Sequence, residues 1–390
     1  MAQDFKALVK AKVDSQRHQL GELSLKIHSH PEPGFQEHKA SKWLTQYLEA
    51  NGFAVEKGIC QLATAFRASY GNSRPSIAIL AEYDALPQLG HACGHNLIAT
   101  SAVGAAVASK PAIDHLGGTV IVLGTPAEEL YGGKIIMAQR GAFKDIDIAM
   151  IAHPSRHDTA TTKALACISL EVEFFGQEAH AAAHPEEGIN ALEAMIQSFI
   201  AINSLRQHIK DRARIHGVIT DGGQVANVVP AHSAASFLVR SPDEAYLEEL
   251  KENVLNCFIG AATATGASLE YRWGEVQYAP MRNNLTMAQL FINNMSSLGR
   301  EVQLENANQS FGSTDMGNVS QLVPSIHPSV AIAPKGVNIH SPKFAEAAAS
   351  EAGIQGMIDA AKAMAMTVVD LLTNPENVDQ VKKEFAENLS

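Results

Sequence analysis

Two carboxylates in succession, Glu128-Glu129, follow the apolar run Val120-Ile-Val-Leu123 in a chain of 390 residues. Adjacent carboxylates repel, so the pair is costly unless a cation lies beside it. On an extended backbone the two side chains point apart, so one can bind a metal while the other reaches a metal-bound water. A metal lowers the pKa of that water towards neutrality, and a carboxylate held next to it is the general base that hydrolysis requires. The rival reading is a solvated acidic turn. Cys93-Gly94-His95 places a soft sulfur and an imidazole on either side of a glycine whose freedom permits the tight turn that lets both converge. Such donors suit zinc, or manganese where the other ligands are carboxylate-rich. A helix beginning near Leu97 would favour the thiolate at its N-terminus. A buried structural cysteine beside a hydrogen-bonded histidine is the alternative for this pair. His153 before Pro154 and the late His340 complete the candidate donors; each taken singly could cap a strand or sit in a surface loop.

These residues share a position relative to the elements that must hold them. The runs Ile77–Ala81, Val120–Leu123, Ile146–Ala152 and Val330–Ala333 read as strands, and each is followed by potential ligands. Helical stretches separate the first three, from Leu97 to Ala108 and Lys134 to Arg140, and an earlier stripe of Trp43, Leu44, Tyr47 and Leu48 marks a helix stopped by Asn51-Gly52. Strands buried on both faces and alternating with helices indicate a mainly parallel α/β sheet, which binds ligands beyond the carboxyl ends of its strands. Near residue 166 the pattern changes, for Ile168, Leu170, Val172 and Phe174 alternate with Ser169, Glu171 and Glu173, as in a strand buried on one face. A helix from Asn190 to Ile209, strands at Ile215–Ile219 and Ala235–Val239, a helix from Asp243 to Ala264 and an alternating Leu269, Tyr271, Trp273 follow. The order is βαββαβ, a ferredoxin-like sandwich. From about residue 282 the first pattern resumes, with helices at Thr286–Leu298 and Phe344–Leu372. The expected domains are therefore 1–165 and 282–390, forming one mixed, mainly parallel α/β domain, with 166–281 inserted. Three domains in series would leave the last 109 residues too few strands for a sheet.

Composition narrows the function classes. With 30 basic against 41 acidic residues the formal charge is −11, and no Lys/Arg cluster offers the basic face that nucleic acid needs. No apolar run approaches the roughly 20 residues of a membrane span. The opening Met1-Ala-Gln-Asp-Phe-Lys6 lacks the features of a secretory signal, and the expected location is cytoplasmic. Four separated cysteines, Cys60, Cys93, Cys167 and Cys257, do not make a disulfide framework. The surplus is in histidine, 16 in all.

Taken together, the residues resemble a known family. His91-Ala-Cys-Gly-His-Asn96, Glu128-Glu129, His153, Phe175-Gly-Gln-Glu-Ala-His180 through Pro185-Glu-Glu-Gly-Ile-Asn190, Asn227-Val-Val-Pro230 and His340 are similar to the co-catalytic metallopeptidases that include aminoacylase, carboxypeptidase G and hippurate hydrolase. Glu82-Tyr-Asp-Ala-Leu-Pro87 and Phe311-Gly-Ser-Thr-Asp-Met-Gly317 resemble the branch of aminobenzoyl-glutamate hydrolase and β-alanyl-lysine (Xaa-Arg) dipeptidase. The resemblance implies a zinc-exopeptidase-like catalytic domain with an inserted lid and two divalent ions, zinc or manganese. By motif, Cys93, His95, Glu129, His153 and His340 would be ligands, with Cys93 bridging. Glu128 would be the general base and proton donor, Asp84 would orient a ligand histidine, and His180 would polarise the scissile carbonyl, in dimeric relatives in the partner's site. Asn227 and Arg240 would hold substrate, Arg240 gripping a carboxylate bidentately. Two departures from the wider family stand out: Glu82 replaces a metal-binding histidine and Cys93 a bridging aspartate. Asn96 replaces an aspartate of hippurate-type relatives, which keeps the base on Glu128. The early His28-Ser-His30 also resembles a family segment and is read as structural.

The expected function is metal-dependent hydrolysis of a small dipeptide or N-acyl amino acid with a free carboxylate, by a homodimer or dimer of dimers. A peptidase of longer peptides, a non-catalytic binding protein that retains the fold, and a structural metal site are the alternatives.

Overall fold

Apolar runs with both faces buried need helices above and below, and the chain supplies them. The structure is a computed structural model that describes residues 4–305 and 312–387; Phe311, which opens one quoted motif, lies outside them. Its strands, in chain order, are β1 (Ala54–Lys57), β2 (Phe66–Gly71), β3 (Ser76–Ala81), β4 (Thr119–Gly124), β5 (Ile148–Met150), β6 (His153–Ser155), β7 (Ala166–Phe175), β8 (Arg214–Asp221), β9 (His232–Ser241), β10 (Ser268–Trp273), β11 (Ser325–Ile326) and β12 (Ser329–Ala331). Two compact units emerge, one of Met1–Lys163, Met281–Ser310 and Asp315–Ser390, the other of Ala164–Pro280 and Phe311–Thr314.

The first unit is built on a six-stranded sheet of order β1-β2-β4-β3-β5-β11. Its β4-β3-β5-β11 part is parallel, while β1 and β2 are antiparallel additions. Alternate residues of β3 and β4 feed two different cores: Ile77, Ile79, Val120 and Val122 join one, Ala78, Leu80, Ile121 and Leu123 the other. That two-sided burial is why these strands read as continuous apolar runs. Helices Phe5–His28, His95–Leu116 and Glu351–Thr373 pack on one face and Gly133–Gln139 and Met316–Leu322 on the other. The sheet is thus mixed, mainly parallel and covered on both faces, as expected.

Local corrections have local reasons. The expected strand Ile146–Ala152 is only Ile148–Met150, and His153 belongs to β6, which pairs in parallel with β12 in a separate two-stranded sheet. The single late helix is two, Pro342–Ala348 and Glu351–Thr373, because Ser350 turns out of helical geometry and its hydroxyl accepts from the Gly353 N–H at 3.1 Å. The second unit is a four-stranded antiparallel sheet of order β10-β7-β9-β8 with helices Ala191–Leu205 and Glu244–Thr265 on its apolar face. That is the ferredoxin-like arrangement read from the alternation in Ile168–Phe174.

Candidate metal centre

The parallel strands of the first unit end side by side, and their following loops carry the candidate donors. Glu82 and Asp84 follow β3, Glu128 and Glu129 follow β4, His153 opens β6 just after β5, and His340 follows β12. Gly94, at φ +81°, caps the helix His95–Leu116, and a Cβ on it would lie 2.9 Å from the Pro154 ring. Glycine therefore lets Cys93 and His95 close on His153. The Cys93 sulfur is 3.4 Å from His153 Nε2, while His153 Nδ1–H donates to the Pro154 carbonyl at 2.6 Å and so aims Nε2 at the sulfur.

Asp84 organises the other side. One of its oxygens accepts from His95 Nδ1–H at 2.9 Å and the other from the Glu129 N–H at 3.0 Å. A carboxylate on Nδ1 fixes the ring so that Nε2 presents its lone pair to a metal. That Nε2 is buried, makes no hydrogen bond, and lies 3.6 Å from Glu82 and 3.7 Å from Glu129. His340, held at φ 62°, brings its Nε2 to 3.4 Å from the same Glu129 oxygen. Side-chain donors gather in overlapping groups, Cys93 with His95 and His153, Cys93 with Glu129 and His340, and His95 with Glu128 and Glu129. One thiolate common to two groups of donors is the arrangement a pair of bridged divalent ions requires.

Glu128 and Glu129 are not on extended backbone. They open a four-residue helix, Glu128–Tyr131, flanked by Ala127 at φ 60° and Gly132 at φ 59°. Buried Glu37 holds this strained corner by accepting from the Ala127 N–H at 2.8 Å and the Thr64 hydroxyl at 2.8 Å; burial pushes its carboxyl up to about 7. The two glutamates still diverge in environment. Burial, then the carboxylates of Glu82 and Asp315, push the Glu128 carboxyl far above its usual range. Glu129 goes the other way: burial opposes ionisation, but His340 and His95 draw it down to about 2. Carboxylates driven apart in this manner are suited to different tasks, proton carrier and ligand.

Cysteine behaves differently from the expectation. Burial, then Glu129, push the Cys93 thiol well up against the opposing pull of His95. Burial disfavours a charged His95, yet Asp84 and then Cys93 overcome it and raise the imidazole well above its usual range. The thiolate of Cys93 and the neutral imidazole of His95 are the forms that bind metal, so a bound cation would favour both. The donor set fits divalent metal because His95 Nε2 and Glu129 Oε1 are buried without hydrogen bonds among sulfur, imidazole and carboxylate donors.

Side chains not singled out from sequence lie beside these donors. Lys134 is wholly buried, 2.5 Å from Glu82 and 2.6 Å from Asp315. His327, just past β11, is buried with both ring nitrogens lacking hydrogen bonds, and its ring centre is 5.5 Å from that of His153. Nothing in the local pattern marked it, because the strand before it, β11, is two residues long. Asn96 anchors the helix instead, donating to Ser24 at 2.9 Å and the Ala348 carbonyl at 3.0 Å. His28 donates to the Ala345 carbonyl at 2.8 Å, a structural bond.

The remaining candidates lie in the second unit. His180 is exposed, and its Nδ1 accepts from the Ala182 and Ala183 N–H groups at 3.3 and 3.2 Å, which leaves Nε2 for another partner. Its segment pairs with that of Asn227, the Ala181 N–H donating to the Asn227 carbonyl at 3.0 Å. Arg240, next to last in β9, donates from Nη1 to Ser313 Oγ at 2.9 Å.

Residues 78–363 match the sequence profile of peptidase family M20/M25/M40. The chain is 39% identical to the Xaa-Arg dipeptidase of Mus musculus, covering 96% of this chain and 90% of the relative. It is 30% identical to a p-aminobenzoyl-glutamate hydrolase polypeptide of Escherichia coli strain K12, covering 95% of this chain and 93% of that relative. In fold it is similar to a dinuclear metal-binding peptidase of Bacillus subtilis, with a TM-score of 0.74 at 22% identity over 92% of this chain and 99% of that one.

Proposed function

The chain belongs to peptidase family M20/M25/M40, and from that premise we propose that it hydrolyses the amide bond of a small dipeptide or N-acyl amino acid bearing a free carboxylate. The observation that carries the reading is the pair of donor groups sharing Cys93, with Glu128 alongside. Cys93, His95, Glu129, His153 and His340 would hold two divalent ions, zinc or manganese. Such ions, when bound, polarise the scissile carbonyl and acidify the attacking water.

The chain's own groups do the rest. Glu128 takes the proton at its carboxylate oxygen and returns it to the departing nitrogen. Asp84 keeps His95 and the Glu129 backbone in place. His180 is assigned to the carbonyl oxygen, Asn227 to the substrate backbone and Arg240 to the terminal carboxylate, for which its fork retains donors beyond the bond to Ser313. A dipeptide with a C-terminal cationic side chain is the first substrate to try, because the Xaa-Arg dipeptidase relative covers the whole site and a chain of charge −11 attracts cations.

Self-association, as a homodimer or dimer of dimers, is part of the same reading. Strand β8 is an edge of the four-stranded sheet and exposes Val218 and Ile219, a surface suited to a second copy. We place the protein in the cytoplasm; no helix of the described residues is long and apolar enough to cross a membrane.

The test is a panel of Xaa-Arg, Xaa-Lys and neutral dipeptides with N-acyl amino acids, offered to metal-stripped protein reconstituted with zinc, manganese or cobalt. Turnover is expected only with metal and fastest on a cationic dipeptide. Full activity in the stripped protein, or no cleavage of any member, would sink the reading.

A further inference from the structure

A lysine with its ammonium removed from water is expensive unless carboxylates surround it, and Lys134 is surrounded. Its side chain is 0% exposed, and its Nζ lies 2.5 Å from Glu82 Oε1 and 2.6 Å from Asp315 Oδ1. Position is fixed from both ends. Asp315 also accepts from the Lys134 N–H at 2.9 Å, and Gly133 beside it cannot carry a side chain, since a Cβ would fall 1.8 Å from the Pro126 carbonyl oxygen.

The carboxylates around this ammonium form a fourth group of donors. Glu82, Glu128 and Asp315 each bring an oxygen within 4.8 Å of the others. Oxygens sharing a divalent ion at about 2.0–2.2 Å must come within about 4.4 Å of one another, so little movement separates this group from a metal site. Glu82 adds an independent sign: its Oε2 is buried, makes no hydrogen bond, and faces His95 Nε2 at 3.6 Å, the nitrogen aimed at the metal pocket.

We infer that Lys134 is a built-in cation that fills the Glu82–Glu128–Asp315 pocket, so that the centre takes two divalent ions and not three and Glu128 stays a proton carrier instead of becoming a ligand. The inference rests on the metal-centre reading above. Lys134 is accordingly a positioning residue. Its ammonium satisfies the carboxylates with a charge that cannot act as a Lewis acid, and it leaves the Glu128 carboxylate without a metal bond to break.

The experiment counts manganese. Wild type, Lys134→Arg, Lys134→Met and the double variant Lys134→Met/Asp315→Asn are dialysed against manganese(II) alone, the ions per chain are measured by mass spectrometry, and thermal unfolding is followed with and without the metal. Two ions are expected in wild type and Lys134→Arg, three in Lys134→Met, and two again in the double variant, which has lost a carboxylate as well as the ammonium. Manganese should raise the unfolding temperature of Lys134→Met more than that of wild type, and kcat of the manganese-loaded Lys134→Met should fall more than KM changes. A Lys134→Met protein that folds and still binds two ions overturns the inference, as does one that no manganese concentration folds. Fewer than two ions in wild type would instead overturn the reading of the centre, while the difference between variant and wild type would still decide the role of Lys134.

Discussion

The two units spend burial on different things. In the first, Glu37, Glu82, Asp84, His91, His95, Lys134, Asp315 and His327 are all buried, several with polar atoms that find no hydrogen bond. In the second, the buried polar side chains among the described residues are hydroxyls, Ser198, Ser233, Ser241 and Thr314, over an apolar core that includes Phe174, Phe237 and Phe258. Backbone strain also marks the candidate centre, where Ala127 and His340 hold positive φ. A unit that keeps so many ionisable groups inside, some with polar atoms that make no hydrogen bond, is organised to bind an ion or move a proton, since folding alone gains nothing from it. The other unit obeys ordinary packing rules and carries its candidate residues, His180 and Asn227, on the surface.

Substitutions can break that contrast. The largest effect is expected from Glu128→Gln, which keeps shape but cannot carry a proton; kcat should fall by about 10²–10⁴-fold with metal content unchanged. Undiminished turnover would remove the first unit's claim to the chemistry. Next comes Phe258→Ala in the second unit, whose ring packs 5.2 Å from that of Phe237. Denaturant unfolding should show a loss of about 3–5 kcal/mol, while the manganese count stays the same; a lost ion would mean that the units are not separable in this way.

Asp84→Asn sharpens the contrast within the first unit. An amide can accept one of the two bonds that Asp84 accepts but is a poorer partner for His95, so metal affinity should drop by about 10–100-fold in calorimetric titration. Equal affinities would show that His95 needs no such anchor. The smallest effect belongs to a surface charge cluster of the second unit, His232 at 2.8 Å from both Glu173 and Asp221. Hydrogen bonds to Glu173 and then Asp221 raise the His232 pKa. A raised folded-state pKa means its contribution is fully present below the unfolded value of about 6.5 and is lost as pH rises through the folded value. His232→Ala should therefore cost within about 1 kcal/mol near pH 6 and nothing at alkaline pH, read from the two unfolding curves. A gap that grows with pH would contradict the assignment.

Residue types and short-range pattern were enough to find much of this. The runs at Ile77–Ala81 and Val120–Leu123 are apolar because both faces of β3 and β4 are covered, and the alternation at Ile168–Phe174 exists because one face of β7 meets a core and the other does not. Two glutamates side by side, a Cys-Gly-His and two isolated histidines pointed to one place because each follows a strand. Strands β1, β2, β6 and β11 were missed, being short or only partly buried, so no period develops over their length.

What tertiary structure alone decided is how charges are paired across the chain. Lys134 meets Asp315 across 181 positions, and nothing local marks either as buried, since a lysine in a first helical turn reads as a solvated charge. The helical turn of Glu128 and Glu129 likewise depends on Glu37, 90 positions before the Ala127 that it holds. Sequence determines the elements and the chemistry available at their ends, because hydrophobic period and residue type are local properties. Which groups share one pocket, and therefore which carboxylate keeps a proton and which would take a metal, is set by strand order and burial, and those exist only once the sheet has formed.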